Sequence, residues 1–372
     1  MDKQEFRKNA SDMVYLTACA VNGIKPKQER IEKLDLTKLF EVCQKHILTA
    51  CAAYALESVG IKDTEFTQAK AKAIRKNILL DTERAKILKR LEDEKIWYMP
   101  LKGSLLKDWY PKLGMRQMSD NDILCDSGRM KDIYDILIEL GFECKHFGKD
   151  NDDAYFKEPV LNFEMHRSLF RAEHIGNLYS YFKNVEEKLI NDENCEYGRH
   201  FTNEDFYLYM IAHEYKHYTR VGTGVRSLLD TYVFLKRVNS SLDWDYINAE
   251  LDKLGISEFE RSNRELAMNV FSMQKLSDDD KKELDYYVMS EAYGTNDNLI
   301  DNAIRFRGDG SKVKYLLYRF FPPVSYIERV VPWAGKSKLL LPFAYIYRMF
   351  RCLTVSRKSV SEELKHIRKK DD

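Results

Sequence analysis

Little in this 372-residue sequence suits a membrane span, a disulfide scaffold or a nucleic-acid backbone. No run approaches the roughly 20 apolar residues of a membrane-spanning helix. The opening residues, Met1-Asp2-Lys3-Gln4-Glu5, are polar and begin no apolar stretch of signal-peptide length, so a cytoplasmic chain is expected. The seven cysteines (Cys19, Cys43, Cys51, Cys125, Cys144, Cys195, Cys352) are odd in number and form no CxxC pair. They read as reduced thiols filling the core. Charge of one sign is also missing: 60 Lys and Arg against 59 Asp and Glu leave +1. A nucleic-acid binder normally carries a basic excess, so nucleic acid is not an expected partner. With 16 Gly and 8 Pro, the chain has too few of either for a fibrous or disordered protein.

What is present is an apolar fraction of 44%, enough for a sizeable core, and a length that suits two or three lobes. Residues 1–95 read as helices; Leu36, Leu39, Phe40, Cys43, Ile47 and Ala50 recur at helical spacing. From Ile96 the pattern changes. Ile96 to Leu101 is a short apolar, aromatic run ending at Lys102-Gly103-Ser104, as a buried strand entering a turn would. A short helix is predicted over Leu105–Trp109 and strands over Asp120–Cys125, Ala154–Phe156 and Val160–His166. Between them, Ile133, Ile136, Leu137 and Leu140 form the stripe of a helix from about Met130, with Gly141 as its terminator. Helical periodicity returns after residue 200. The prediction is an α+β protein: an N-terminal helical region over 1–95, an α/β core over 96–200, and a C-terminal helical region with a basic tail over 201–372.

Asp120-Asn121-Asp122 is the most informative triplet. In a strand, residues i and i+2 share a face, so both carboxylates project together. They repel unless a cation sits between them, and Mg²⁺ prefers a few carboxylates plus substrate phosphates. On the later strand, Asn162, Glu164 and His166 alternate with Leu161, Phe163 and Met165. A third carboxylate can therefore stand beside the first two. Upstream, Lys102-Gly103-Ser104 at a strand-to-helix turn offers backbone N–H groups, a hydroxyl and a cation to phosphate.

Gly103-Ser104, Asp120-Asn121-Asp122 and Glu164 together resemble the nucleotidyltransferase fold of the DNA polymerase beta superfamily. More narrowly, the chain is similar to a bacterial family called uncharacterised nucleotidyltransferases. That resemblance is carried by Leu101-Lys102-Gly103, Tyr110-Pro111, Arg116, Asp120-x-Asp122-Ile123-Leu124, Leu140-Gly141-Phe142 and Glu164-Met165-His166. It continues through His213-x-x-x-His217, Gly224, Arg226 and Asp230, and through Phe320-Phe321-Pro322 and Leu341-Pro342. The sequence departs from the pattern in a longer gap before Asp120, around Gly114, and in Asn121, where the superfamily usually has an apolar residue. The resemblance implies transfer of NMP from an NTP such as ATP or GTP to a small-molecule, saccharide or peptide acceptor, with release of pyrophosphate. It implies Asp120, Asp122 and Glu164 as catalytic residues holding two Mg²⁺ ions, or Mn²⁺. Lys102, Gly103, Ser104, Arg116 and His166 would contact the nucleotide, with His213, His217, Arg226 and Asp230 behind them. The alternatives are a nucleotide-binding regulatory protein without turnover, or a transferase of another phosphoryl-type group. Base, acceptor and oligomeric state stay open.

His213-Glu214-Tyr215-Lys216-His217 matches the zinc-protease pattern HExxH. Charged Lys216 is poorly suited to the buried helix of such an enzyme, and no third ligand follows at a recognisable spacing, so that reading is rejected. Gly222-Thr223-Gly224 opens a helix on which Arg226 and Asp230 stand one turn apart, where they can pair. From Lys336 onward there are ten Lys and Arg against four Asp and Glu, beside the apolar run Leu339–Ile346. A terminal helix docked on the core is the preferred reading there, with peripheral membrane contact as its rival.

Overall fold

The structure, a computed structural model, describes residues 1–172, 174–354 and 363, without the side chains of residues 325, 329, 336, 352 and 353. Five helices come first: α1 (Lys3–Asn22), α2 (Gln28–Ile31), α3 (Leu36–His46), α4 (Thr49–Ser58) and α5 (Thr64–Asp93). Their ends follow capping chemistry. Asp2, Asp35 and Asp63 each accept a backbone N–H in the first turn of α1, α3 and α5, and Gly23 closes α1 in the left-handed conformation.

The α/β core follows: β1 (Tyr98–Pro100), α6 (Lys102–Leu106), β2 (Asn121–Cys125), α7 (Met130–Glu139), β3 (Glu143–Cys144), β4 (Asp152–Lys157) and β5 (Leu161–His166). After α8 (Leu178–Phe182), a small hairpin pairs β6 (Ile190–Asn191) with β7 (Arg199–His200). The five-stranded sheet has the order β1-β2-β5-β4-β3. Only β2 and β5 run parallel, joined by a crossover through α7. Ile123, Phe163 and Met165 on one face pack with Leu80, Ile87 and Leu91 of α5 and with Ile133, Ile136 and Leu137 of α7. That helix-covered face leaves the opposite one for chemistry.

The predicted strands differ from these mainly at their ends: β2 starts at Asn121, β4 extends to Asp152–Lys157 and β5 starts at Leu161. The helix predicted over Leu105–Trp109 instead begins at Lys102 and tightens into a 3₁₀ turn at Lys107–Trp109. Extended Leu101 serves as its N-cap, so Lys102-Gly103-Ser104 is a first helical turn rather than a loop before a helix.

The remaining helices are α9 (Asn203–Tyr218), α10 (Val225–Val238), α11 (Trp244–Leu254), α12 (Ser257–Phe271), α13 (Asp278–Ser290), α14 (Asn296–Asn302), α15 (Lys312–Phe320), α16 (Val324–Val330) and α17 (Leu341–Thr354). Met13, Leu16, Leu39 and Leu56 share one buried cluster with Leu228, Leu266, Phe271 and Tyr287, so α1, α3 and α4 pack with α10, α12 and α13. Leu124 of the sheet joins Tyr207, Ile211 and Phe234 in a second cluster, which sets α9 against the open face. Cys19, Cys43, Cys51 and Cys125 are buried free thiols, while Cys144 and Cys195 are partly buried.

Candidate active site

The parallel register of β2 and β5 sets Asp122 directly beside Glu164, and Leu124 beside His166. All three polar side chains leave the sheet on the face opposite α5 and α7. His166 Nε2 lies 3.3 Å from Asp122 Oδ1 and 3.9 Å from Glu164 Oε2. Asp122, Glu164 and His166 each offer a ligand atom, all within 4.8 Å of one another. Asp120, one residue before the strand, lines the same cleft but falls outside this compact set. The sequence reading had grouped Asp120 with the two other carboxylates and set His166 on the nucleotide; the structure draws His166 into the carboxylate cluster.

The cleft has a volume of about 580 Å³. Its acids are electrostatically unsettled. Burial pushes Asp120 up to about 6, and Asp122 pushes it the same way. Burial, with repulsion from Asp122 and Asp120, pushes Glu164 up to about 7. Asp122 stays below the ordinary carboxylate range: burial opposes this, but the His166 hydrogen bond and the charges of His166 and Lys216 outweigh it. His166 in turn is raised, since the Asp122 hydrogen bond overcomes the cost of burying its charge. A cluster with this much mutual repulsion fits a divalent cation; the two carboxylates suit Mg²⁺ or Mn²⁺, whereas the imidazole is a donor that transition metals accept more readily than Mg²⁺.

Opposite stand the cations. Tyr209, His213, Lys216, His217 and Arg220 form the helical stripe of α9 and its end that faces the cleft. Lys216 makes no ion pair among the described residues, and burial lowers it to about 8. Burial and the charge of Lys216 hold His213 and His217 well below the usual imidazole range, so both rings are neutral; their centroids lie 4.7 Å apart. Glu214 borders the cleft as well, but it is buried and its Oε1 accepts from Asn263 Nδ2 at 2.7 Å. The HExxH residues therefore do not converge on one metal. Lys216, counted above against this helix, is one of the cleft's main cations.

Several sequence expectations change here. Arg116 was predicted to neutralise phosphate, but its Nε and Nη2 donate to Asp230 Oδ1 and Oδ2 at 2.8 and 2.9 Å in a buried bidentate pair. Tyr110 adds a third hydrogen bond to Asp230 at 2.7 Å, and Lys102 Nζ lies 3.4 Å away. Burial disfavours the Asp230 charge, yet Arg116 and Lys102 hold its carboxyl well below the ordinary range. Arg226 does not form the predicted pair with Asp230; its Nη1 donates to the Gln117 carbonyl at 3.1 Å. Ser104 was predicted to offer its hydroxyl to phosphate, but the side chain is buried and donates to the Leu101 carbonyl at 2.8 Å. Lys102, Gly103, Arg116 and Asp230 all line the cleft, and Ser104 does not. A Cβ at Gly103 would sit 3.0 Å from both Arg116 and Met118, so the helix turn packs tightly on the buried pair.

The glycine turn before α10 also borders the cleft. Gly222 is in the left-handed region (φ +87°), and a Cβ at Gly224 would meet the Glu291 carbonyl oxygen at 2.4 Å. Gly224 caps α10 with no side-chain acceptor, leaving first-turn N–H groups of a 14-residue helix at the cleft wall. Asn121 is fully buried: its Oδ1 accepts from Arg84 Nη1 at 2.8 Å, while its Nδ2 has no partner among the described residues. The amide that replaces the usual apolar residue is thus half satisfied by α5.

A mixed sheet whose central parallel pair carries a carboxylate–imidazole cluster, flanked by helical regions, is an α+β nucleotidyltransferase-like fold. The sequence model of one family, described as uncharacterised nucleotidyltransferase, matches residues 32–272. The chain belongs to this family, which indicates nucleotidyl transfer as its general activity. No curated protein and no solved structure matches the chain. The family match takes in α3 to α5, which lay outside the resemblance read from motifs, and ends before Phe320-Phe321-Pro322 and Leu341-Pro342.

Proposed function

We propose that this protein transfers NMP from a Mg²⁺-bound NTP to a small-molecule, saccharide or peptide acceptor and releases pyrophosphate. The observation that carries this reading is the pairing of Asp122 with Glu164 across the parallel strands, with His166 beside them. Asp122, Glu164 and His166 would hold one ion, and Asp120 with Asp122 a second. Bound there, the ions would stabilise charge on the attacking and leaving oxygens of an in-line displacement.

The chain's own groups divide the remaining work. Lys216 and Arg220 on the α9 stripe, Lys102, Arg226 and the free N–H groups of α10 surround the space where a triphosphate tail fits, and each opposes its charge. Arg116 lines the cleft but is committed to Asp230, and with Ser104 it supports the Gly103 turn. In the transfer, the acceptor oxygen forms a bond to the α-phosphorus. The bond from that phosphorus to the α–β bridging oxygen breaks, and pyrophosphate leaves. Glu164 would either complete the ligand set of the acceptor-side ion or take the acceptor proton. Tyr293, 67% exposed at the rim and hydrogen-bonded to Ser119 at 2.7 Å, offers a ring on which a base can stack.

The test is label transfer from NTP carrying ³²P at the α or the γ position, with a pool of small-molecule and peptide acceptors. Product labelled only from the α position, with pyrophosphate released, supports the reading. Product labelled only from the γ position would make the protein a phosphotransferase. Tight Mg²⁺-NTP binding with no labelled product from either would favour the regulatory alternative.

A further inference from the structure

The C-terminal helices carry their apolar residues on the wrong side for a soluble protein. In α17, Phe343, Ile346, Tyr347 and Phe350 follow helical spacing and all face outward; Phe343, Ile346 and Phe350 are 64%, 65% and 67% exposed. Leu339, one turn before, is 83% exposed. The inward face carries Ala344 and Arg348 beside the partly buried Leu341 and Tyr345, which pack with Ile327, Val331 and Ala334. Ala344 is fully buried, and Arg348 is buried with Nη1 donating to the Arg319 carbonyl at 2.9 Å and its guanidinium over the Tyr326 ring. Neighbouring α15 repeats the inversion with Val313, Leu317, Phe320 and the following Phe321 outward. Phe321 touches the Tyr345 ring, and the Tyr345 hydroxyl donates to the Pro322 carbonyl at 2.7 Å, so the two helices adjoin. Single exposed apolar residues are ordinary; two adjoining outward stripes are not.

Charge identifies the occupant. Residues 311–354 contain eight Lys and Arg and one acidic residue, Glu328; Lys314 pairs with Asp309 and Arg319 with Glu363, which still leaves the segment basic in a chain whose net charge is only +1. Two copies meeting through this face would set two strongly basic segments against each other, which disfavours a symmetric dimer. An anionic lipid surface satisfies both features: the apolar stripe enters the headgroup–acyl boundary while Lys338 and Arg351, both exposed, meet lipid phosphates. The phenylalanines and Tyr347 suit that boundary. Among the described residues, no helix is long and apolar enough to cross a membrane, so the element would lie on the bilayer. The basic residues Arg357 and Lys358, part of the sequence-level basic stretch, lie outside the described residues.

We propose that α15 and α17 dock this protein on an anionic lipid bilayer. This surface is separate from the cleft, and its test is independent of nucleotide chemistry. The experiment is flotation of the full chain with vesicles of phosphatidylcholine alone or mixed with phosphatidylglycerol, at low and high salt. The wild type should float with the mixed vesicles at low salt and not with phosphatidylcholine alone. Phe343→Ser with Phe350→Ser should abolish flotation. Lys338→Glu with Arg351→Glu should weaken it by about tenfold or more. Because every substituted side chain is exposed, thermal unfolding matching the wild type should accompany the loss. Absence of wild-type flotation, flotation unchanged in both double variants, or a wild-type dimer that the phenylalanine variant turns into monomer would each overturn the proposal.

Discussion

Arg116 and Asp230 lie 114 residues apart in sequence and meet in a bidentate, buried ion pair at the wall of the cleft. The pair joins the segment before β2 to α10 and supports the Gly103 turn. Removing one partner leaves a buried charge unpaired, so Asp230→Ala should destabilise the fold by about 3–5 kcal/mol in denaturant titration. Replacing the whole buried cluster with apolar residues of similar volume, Lys102→Met and Tyr110→Phe together with Arg116→Met and Asp230→Leu, should cost far less than Asp230→Ala. Equal losses would mean that the salt bridge does not organise this region.

The raised carboxyls make the metal-free protein sensitive to pH in a defined direction. Asp120 (about 6) and Glu164 (about 7) bind protons more tightly folded than unfolded. Their stability contribution is therefore full below the ordinary carboxylate range and is lost as pH rises through 6 to 7. Asp120→Asn or Glu164→Gln should raise the metal-free stability at pH 8 by about 1–2 kcal/mol and change it little at pH 4.5. Added Mg²⁺ or Mn²⁺ should stabilise the wild type at pH 8 and the variants much less. Thermal melts in chelator and in metal measure both.

Lys216 is a cation without a carboxylate partner among the described residues, placed opposite the acid cluster. Lys216→Ala should raise the KM for NTP by about 10- to 100-fold, the value of a charged hydrogen bond, with a smaller change in kcat. Because Lys216 loses its proton at about 8, nucleotide affinity should fall above that pH in the wild type and lose this step in Lys216→Arg. Steady-state kinetics across pH separates the two outcomes.

Tyr293 tests where the base sits. Tyr293→Ala should raise the NTP KM by about tenfold, as loss of one base–aromatic stack does, whereas Tyr293→Phe should leave it within about twofold. If Tyr293→Phe matches Tyr293→Ala, the hydrogen bond to Ser119 rather than the ring face is what matters.

The strands and their acidic residues were legible because period-2 alternation and carboxylate spacing are local. Asp122 and Glu164 needed only the two strands to be neighbours, and the register of β2 on β5 supplied that, while Asp120, before the strand, borders the same cleft outside the compact cluster. The partners of Arg116 and Arg226 were not legible, because both depend on packing across more than 100 residues. The i, i+4 spacing of Arg226 and Asp230 pointed to a pair, but the buried bidentate geometry with Arg116 fixes Asp230 more tightly than an exposed contact on one helix could. The Ser104 hydroxyl was misread because extended Leu101 caps α6 and draws Lys102-Gly103-Ser104 into the helix, where its hydroxyl returns to the chain. The stripe Tyr209, His213, Lys216, Arg220 was visible in the spacing. A lysine at that position argues against zinc, and only the fold, which sets Lys216 in the same cleft as the acid cluster, shows that it suits an anionic substrate.

The inverted C-terminal helices show the limit of pattern reading from the other side. The apolar spacing of Leu339, Phe343, Ile346 and Phe350 predicts an amphipathic helix, but not which face the protein keeps. Arg348, tied to the Arg319 carbonyl, settles that orientation.

The central claim, that Asp122, Glu164 and His166 hold the cation on which nucleotide binding depends, is tested most directly by calorimetric titration of Mg²⁺-NTP. The wild type should bind with Mg²⁺ and lose at least about tenfold in affinity in chelator. Asp122→Asn with Glu164→Gln should show the weaker affinity under both conditions. Undiminished Mg²⁺-dependent binding in that double variant would contradict the account.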